Sequence, residues 1–349
     1  MRYPKSVQYW LLAGLVMIFF QVVLGGITRL TGSGLSITKW DIVTGTLPPV
    51  GNQQWQEAFE LYKATPQYQK INQGMELSQF KFIFFWEYFH RLWARLMGFV
   101  FLFPLIYFLI RRYIDRALMV RLVVVFLLAA LVASVGWIMV ASGLIDRPWV
   151  NAYNLTIHLS FALILFSYLA WTYWWTVHRG DRNYMVSSTS AKWLTFILVI
   201  LGTQLILGGM MSGMKAGLLY PTWPDMRGTF IPDVLKLGAN WQWSHFTQYD
   251  DHEFMGSLVQ WLHRGVAYLL ALSLVFFWFK SGLKASSVKM DLIRSGFLVL
   301  LQITLGIFTV IHCVGYIPLW LGVAHQSVAL LLLLSLLHNR FRIRTYNAV

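Results

Sequence analysis

Eight stretches of this 349-residue chain stay apolar for about 20 residues or more, long enough to cross a hydrocarbon layer of ~30 Å as helices. They lie at 8–27, 82–110, 118–142, 153–177, 192–212, 254–279, 292–312 and 319–338. In lipid every backbone polar group must be satisfied within its own segment, so the expected fold is an all-α polytopic membrane protein. Composition agrees, since 57% hydrophobic and 12% charged residues do not make a soluble globular domain. The first span follows a short basic start, MRYPKS. It lacks a small-residue cleavage site and runs straight into LGGITRL, so it reads as a retained anchor and not a signal peptide.

Lysine and arginine set the expected orientation. The N-terminus, the linkers RRYIDR, HRGDRN and KSGLKASSVK, and the tail NRFRIR are short and basic, which places them in the cytoplasm with both termini. The net charge of +14 is therefore a matter of membrane orientation and does not point to nucleic acid. The other linkers carry most of the acidic residues, Asp41, Glu57, Glu60, Asp250, Asp251 and Glu253 among them. Two of these outer loops are long, about 28–81 and 213–253, and loops of that length usually carry function or structure of their own. In the first, NQQWQEAFELYKAT is amphipathic enough for a short surface helix.

The chain repeats itself. QVVLGG at 21–26 returns in TQLILGG at 203–209, and Gly34, Leu35 and Trp40 keep the offset of Gly217, Leu218 and Trp223. FHRLWARL pairs with LHRGVAYL, and IHLSFALIL with AHQSVALLL. The reading is a tandem repeat of two four-helix bundles, 1–180 and 181–349, inserted the same way up and related by an axis along the membrane normal. The glycine pairs Gly25–Gly26 and Gly208–Gly209 suit close helix packing, or the approach of a flat cofactor.

Of nine histidines, four fall inside spans at matching positions of the two halves: His90 and His158, then His263 and His325. Each pair lies on the second and fourth helix of its half, near the outer end, where facing imidazoles can meet in a bundle core. Two axial imidazoles suit a haem iron. Zinc normally takes more protein ligands, and no third one lies near either pair. His178 and His338 lie at inner span ends, His245 and His252 in an outer loop, and His312 near an outer end. Arg91 and Arg264, each about 100° round the helix from its histidine, are candidate contacts for haem propionates. Arg95 reads as an interfacial or bundle residue, and Arg29 has Ser212 as its counterpart. The single Cys313 excludes an intramolecular disulfide and a Cys-ligated cluster, and reads as a small buried residue.

The halves differ in one place of chemical weight. Glu87 precedes His90 by three residues and so shares its helix face; the second half has Gln260 there. A carboxyl can take a proton or stabilise positive charge, and an amide can do neither. The first half thus reads as a reaction site and the second as a cofactor site. The plainer role for Glu87 is an i,i+4 ion pair with Arg91.

Together LGGITRLTGSGLSITKWDIVTGTLPP, FFWEYFHRLWARLMG, IHLSFAL, LHRGVAYL and GVAHQSVALLL resemble haem A synthase of the mitochondrial and proteobacterial type. The resemblance covers nearly the whole chain. It implies haem b held by His263 and His325, and haem O bound in the first half near His90 and His158. It further implies oxidation of the C8 methyl group of haem O to a formyl group, giving haem A for terminal oxidases, with Glu87 assisting. The location would be the bacterial inner membrane, with the haem sites toward the outer face. An electron acceptor is implied as a partner, the basic inner loops offer a face to haem O synthase, and self-association stays open. Some members of the family carry a cysteine pair in the first outer loop; this chain has none there, so a disulfide electron route is closed to it. The main alternative is a b-type bis-His membrane cytochrome acting only in electron transfer, and a further one is a haem transporter or chaperone.

Overall fold

The computed structural model describes residues 3–38, 47–144, 147–179, 188–236, 241–280 and 286–344. Trp40 and Asp41, and the linker segments 180–187 and 281–285, lie outside them. Among the described residues, eight helices are long and apolar enough to span a membrane: α1 (Lys5–Leu30), α4 (Leu77–Ile110), α5 (Arg116–Gly143), α6 (Ala152–Val177), α7 (Ser188–Gly213), α9 (Glu253–Lys280), α10 (Ser286–Ile311) and α11 (Leu319–Arg344). Three short helices complete the set: α2 (Asn52–Lys63), α3 (Pro66–Lys70) and α8 (Ser244–Thr247). The amphipathic stretch of the first long loop is thus helical, as α2. Packing divides the chain into two compact units, Lys5–Phe166, and Met1–Pro4 with Ser167–Val349; α6 runs through both.

The helices begin where the caps are and not where the apolar runs begin. Asp115 Oδ1 accepts from Leu118 N at 2.9 Å and starts α5. Glu76 and Gln79 form a capping box on α4, which therefore starts five residues before the apolar stretch at 82. Such a box satisfies two otherwise unpaired N–H groups. Pro104 sits inside α4, where it removes one helix hydrogen bond.

In the Lys5–Phe166 unit, α1 and α4 run antiparallel. Trp10 Nε1 donates to Val100 O at 2.8 Å and Trp93 Nε1 to Met17 O at 2.9 Å. Buried indole N–H groups need such partners in an apolar setting, and these two fix the register of the helix pair. Phe59, Tyr62, Phe80, Ile83 and Phe84 pack α2 onto the start of α4. The Tyr62 hydroxyl donates to Gln67 Oε1 (3.1 Å) and accepts from Asn72 Nδ2 (2.6 Å), and Gln67 Nε2 donates to Gly32 O (2.9 Å). A small aromatic lid is tied in this way to the turn that leaves α1. Burial raises the Tyr62 phenol above its ordinary value, against a smaller lowering by Asn72.

In the other unit, α10 and α11 are antiparallel partners. Ser295 Oγ meets Ser335 Oγ at 2.7 Å and accepts from Asn339 Nδ2 at 3.0 Å, while Asp291 pairs with Arg342 and Arg294. Cys313 is buried, donates to Thr309 O at 3.1 Å, and lies against Gly217; burial raises its thiol above the ordinary value.

Candidate functional site

His90 on α4 faces α1. Gln21 Nε2 donates to its Nε2 at 3.0 Å and to its backbone oxygen at 3.3 Å. A carbonyl only accepts, so the second bond fixes which end of the carboxamide points at the ring. The ring atom receiving the first bond is then an acceptor, with its lone pair on Nε2. One turn along α1, Gly25 makes room: a Cβ there would lie 3.3 Å from His90 Nε2.

His158 on α6 faces α5. Its Nδ1 lies 3.1 Å from Val132 O, so Nδ1 carries the proton and Nε2 the lone pair. One turn beyond Val132, a Cβ on Gly136 would come within 2.8 Å of the ring, closer than real side chains pack.

The second unit uses the same parts. Gln204 Nε2 stands 3.3 Å from His263 Nε2, and a Cβ on Gly208 would be 3.5 Å from that ring. His325 Nδ1 donates to Gln302 O at 3.1 Å, and a Cβ on Gly306 would lie 2.9 Å from the ring. The Gln302 carboxamide nitrogen adds contacts of 3.2 Å to both ring nitrogens. The rings of His263 and His325 have centroids 6.4 Å apart. That separation accommodates a metal–imidazole bond of ~2 Å on each side.

The donor set fits porphyrin-bound iron. Among the described residues no three His, Cys, Asp or Glu side chains group to hold a metal ion, so a metal on either pair needs its other ligands from outside the protein. A porphyrin supplies them in one plane and leaves two axial positions for imidazole. Buried polar atoms without partners gather beside these rings: Gln21 Oε1, Gln204 Oε1, His263 Nδ1 and Gln302 Oε1. Each such atom costs about 1–3 kcal/mol, a strain more typical of a site than of plain packing.

One turn toward the start of α4 and α9, the halves diverge. Glu87 is buried. Its Oε2 accepts from Ser36 N (2.7 Å), Ser36 Oγ (2.7 Å) and Ile37 N (2.8 Å), and its Oε1 from Arg91 Nη2 (2.6 Å). The ion pair expected from spacing is therefore present, and a loop clamp accompanies it. Gln260 instead donates to Tyr220 O at 2.9 Å. Arg91 reaches Ile37 O (3.3 Å), and Arg264 reaches Tyr220 O (3.0 Å), the residue at the same repeat offset. Arg264 also holds Thr222 O and Asp225 O, both at 2.8 Å. Both arginines thus hold the loop that follows the first helix of their half.

Sequence reasoning singled out the four histidines, Glu87 and the two arginines. It missed Gln21, Gln204, Gln302, Gly136, Gly306 and Ser36. Gln21 and Gln204 stood inside the repeated motif and were the one signal available.

Membrane-length helices with half-buried histidines set inside them against glycines of other helices define an all-helical, multi-pass membrane protein. The model of one family, described as cytochrome oxidase assembly protein (COX15-CtaA), matches residues 8–337, so the chain belongs to that family. It is 40% identical to a heme A synthase of Flavobacterium psychrophilum, over 98% of this chain and 99% of that one. It is also 40% identical to the heme A synthase of Nitrosospira multiformis (97% and 94% covered) and to that of Parvibaculum lavamentivorans (93% and 90%).

Proposed function

We propose that this protein makes haem A, oxidising the C8 methyl group of haem O to a formyl group for use in terminal oxidases. The observation that carries the reading is the end-to-end likeness to proteins named heme A synthase. The four span histidines support it, two of them with the proton held on Nδ1 and Nε2 left as acceptor. Haem O takes His90 and His158 as its iron ligands in residues 1–180, and haem b is the resident cofactor on His263 and His325 in residues 181–349. A bound haem supplies redox chemistry at its iron, and an electron acceptor takes the electrons.

This chain's own residues bind and orient. The carbonyls of Val132 and Gln302 fix the tautomer and plane of His158 and His325, a known way of aiming metal-binding imidazoles. Glu87 holds negative charge three residues from His90, where it stabilises positive charge developing on the substrate. It takes a proton if Ser36 or Arg91 gives up its bond. Gln260 offers neither. A propionate reaching Arg91 or Arg264 would share the guanidinium with Ile37 O or Tyr220 O. The protein sits in the bacterial inner membrane with both termini cytoplasmic and the haem sites toward the outer face. Haem O synthase is the natural neighbour to hand over substrate.

Expression beside a haem O synthase, followed by pigment extraction and chromatography, tests this. Haem A should accumulate, and Glu87→Ala should abolish it while haem b stays bound. Persistent haem O in a protein with full bis-histidine spectra would overturn the enzyme. The second reading, a b-type cytochrome that only carries electrons, is favoured by the four bonds already occupying Glu87, and predicts that outcome. The halves are separated by His263→Ala, which should deplete haem b more than His90→Ala does.

A further inference from the structure

The four imidazoles are not equally available. At His90, His263 and His325 a glutamine carboxamide nitrogen stands 3.0, 3.3 and 3.2 Å from Nε2. Nε2 is the atom whose lone pair would bind iron, so at those three rings a metal must first displace an N–H donor. His158 is different. Its one hydrogen bond among the described residues runs from Nδ1 to Val132 O, so its Nε2 receives none. The position that carries Gln302 in the second half, four residues before the ring-packing glycine, carries valine here. The backbone bond is the same 3.1 Å in both halves, so the difference lies in the side chain alone.

We propose that His158 is the entry ligand of the first half: incoming haem iron binds His158 Nε2 first, and His90 second by displacing the Gln21 carboxamide. The inference rests on the reading of the first half as a haem O site. Three features support the order. His158 already has its tautomer set by Val132 O, so Nε2 presents a lone pair with nothing to remove. His90 presents the same atom behind a hydrogen bond, and a buried bond of that kind slows or weakens whatever must replace it. Gln21 is also built to let go at small cost. Its second N–H stays on His90 O at 3.3 Å when the first leaves Nε2, so the amide keeps one acceptor throughout. In the second half both rings are guarded, by Gln204 and Gln302, which suits a cofactor loaded once better than a substrate that comes and goes.

The test uses the full-length protein purified with its haem b, mixed with haem O, and followed by its absorption spectrum in stopped flow. Wild type should show two phases, a five-coordinate species and then a six-coordinate one. His90→Ala should keep the first phase and stop there, whereas His158→Ala should lose the first phase. Gln21→Leu should speed the second phase about fivefold, and Val132→Gln should slow the first by a similar factor; both keep all four ligands, so they decide the matter if a histidine variant fails to fold. Loss of the first phase in His90→Ala with its retention in His158→Ala would overturn the proposal. So would unchanged phases in both Gln21→Leu and Val132→Gln. Failure of wild type to bind haem O at all would instead overturn the haem O reading beneath it.

Discussion

A single methyl group separates the four ring-packing glycines. At Gly306 and Gly136 it would lie 2.9 and 2.8 Å from an imidazole carbon; at Gly208 the nearest ring atom would be 3.5 Å away, in ordinary contact. Gly306→Ala must therefore push His325 off its carbonyl, and the purified protein should lose its haem b absorbance. Gly208→Ala should retain it, and equal retention in the two would refute the role of Gly306 as a cradle. These glycines also show what a sequence hides. A histidine in an apolar run is conspicuous because lipid makes it costly, and its return in both halves made the four candidate ligands legible. Gly136 and Gly306 sit in unremarked runs, and their importance arises only when a ring arrives from another helix. Gln21 and Gln204 were in plain view within the repeat, but an amide four residues before a glycine reads equally well as packing. The partners of Glu87 include the N–H groups of Ser36 and Ile37, which no side-chain letter announces.

Among the elements, the lid formed by α2 and α3 and the loops gripped by Arg91 and Arg264 are parts that periodicity only half described. The helical character of α2 followed from its amphipathic pattern, whereas its docking by Gln67 onto Gly32 O depends on a turn between distant segments. Gln67→Ala should weaken the lid by about 1 kcal/mol, seen as faster proteolysis between residues 47 and 76 with the spans intact. Alkali should act at the same place. The Tyr62 phenol is raised in the folded lid, so its contribution is complete below the unfolded value of about 10 and is lost as pH rises through the higher folded value. Lid proteolysis should accelerate above pH ~10 in wild type and less so in Tyr62→Phe. The span boundaries were legible to within a few residues. The largest shifts are the start of α10 at Ser286 and the end of α11 at Arg344; the smaller shift at the start of α4, to Leu77, comes from the capping box at Glu76 and Gln79, polar residues that an apolar count passes over.

For the molecule as a whole, orientation was read from basic loops and is open to direct measurement. Cys313 is the single cysteine, so Cys313→Ser gives a thiol-free background. A cysteine at Gln53 should then react with a membrane-impermeant maleimide in intact cells, and one at Arg112 only after permeabilisation; the reverse pattern would invert the topology. One bonding pattern carries a larger consequence. Glu87 commits Oε2 to two backbone amides and a hydroxyl of residues 36 and 37, and Oε1 to Arg91. A single side chain thus joins the ion pair on α4 to the backbone after α1, so a change at Glu87 is felt by residues 36 and 37 as well as by Arg91.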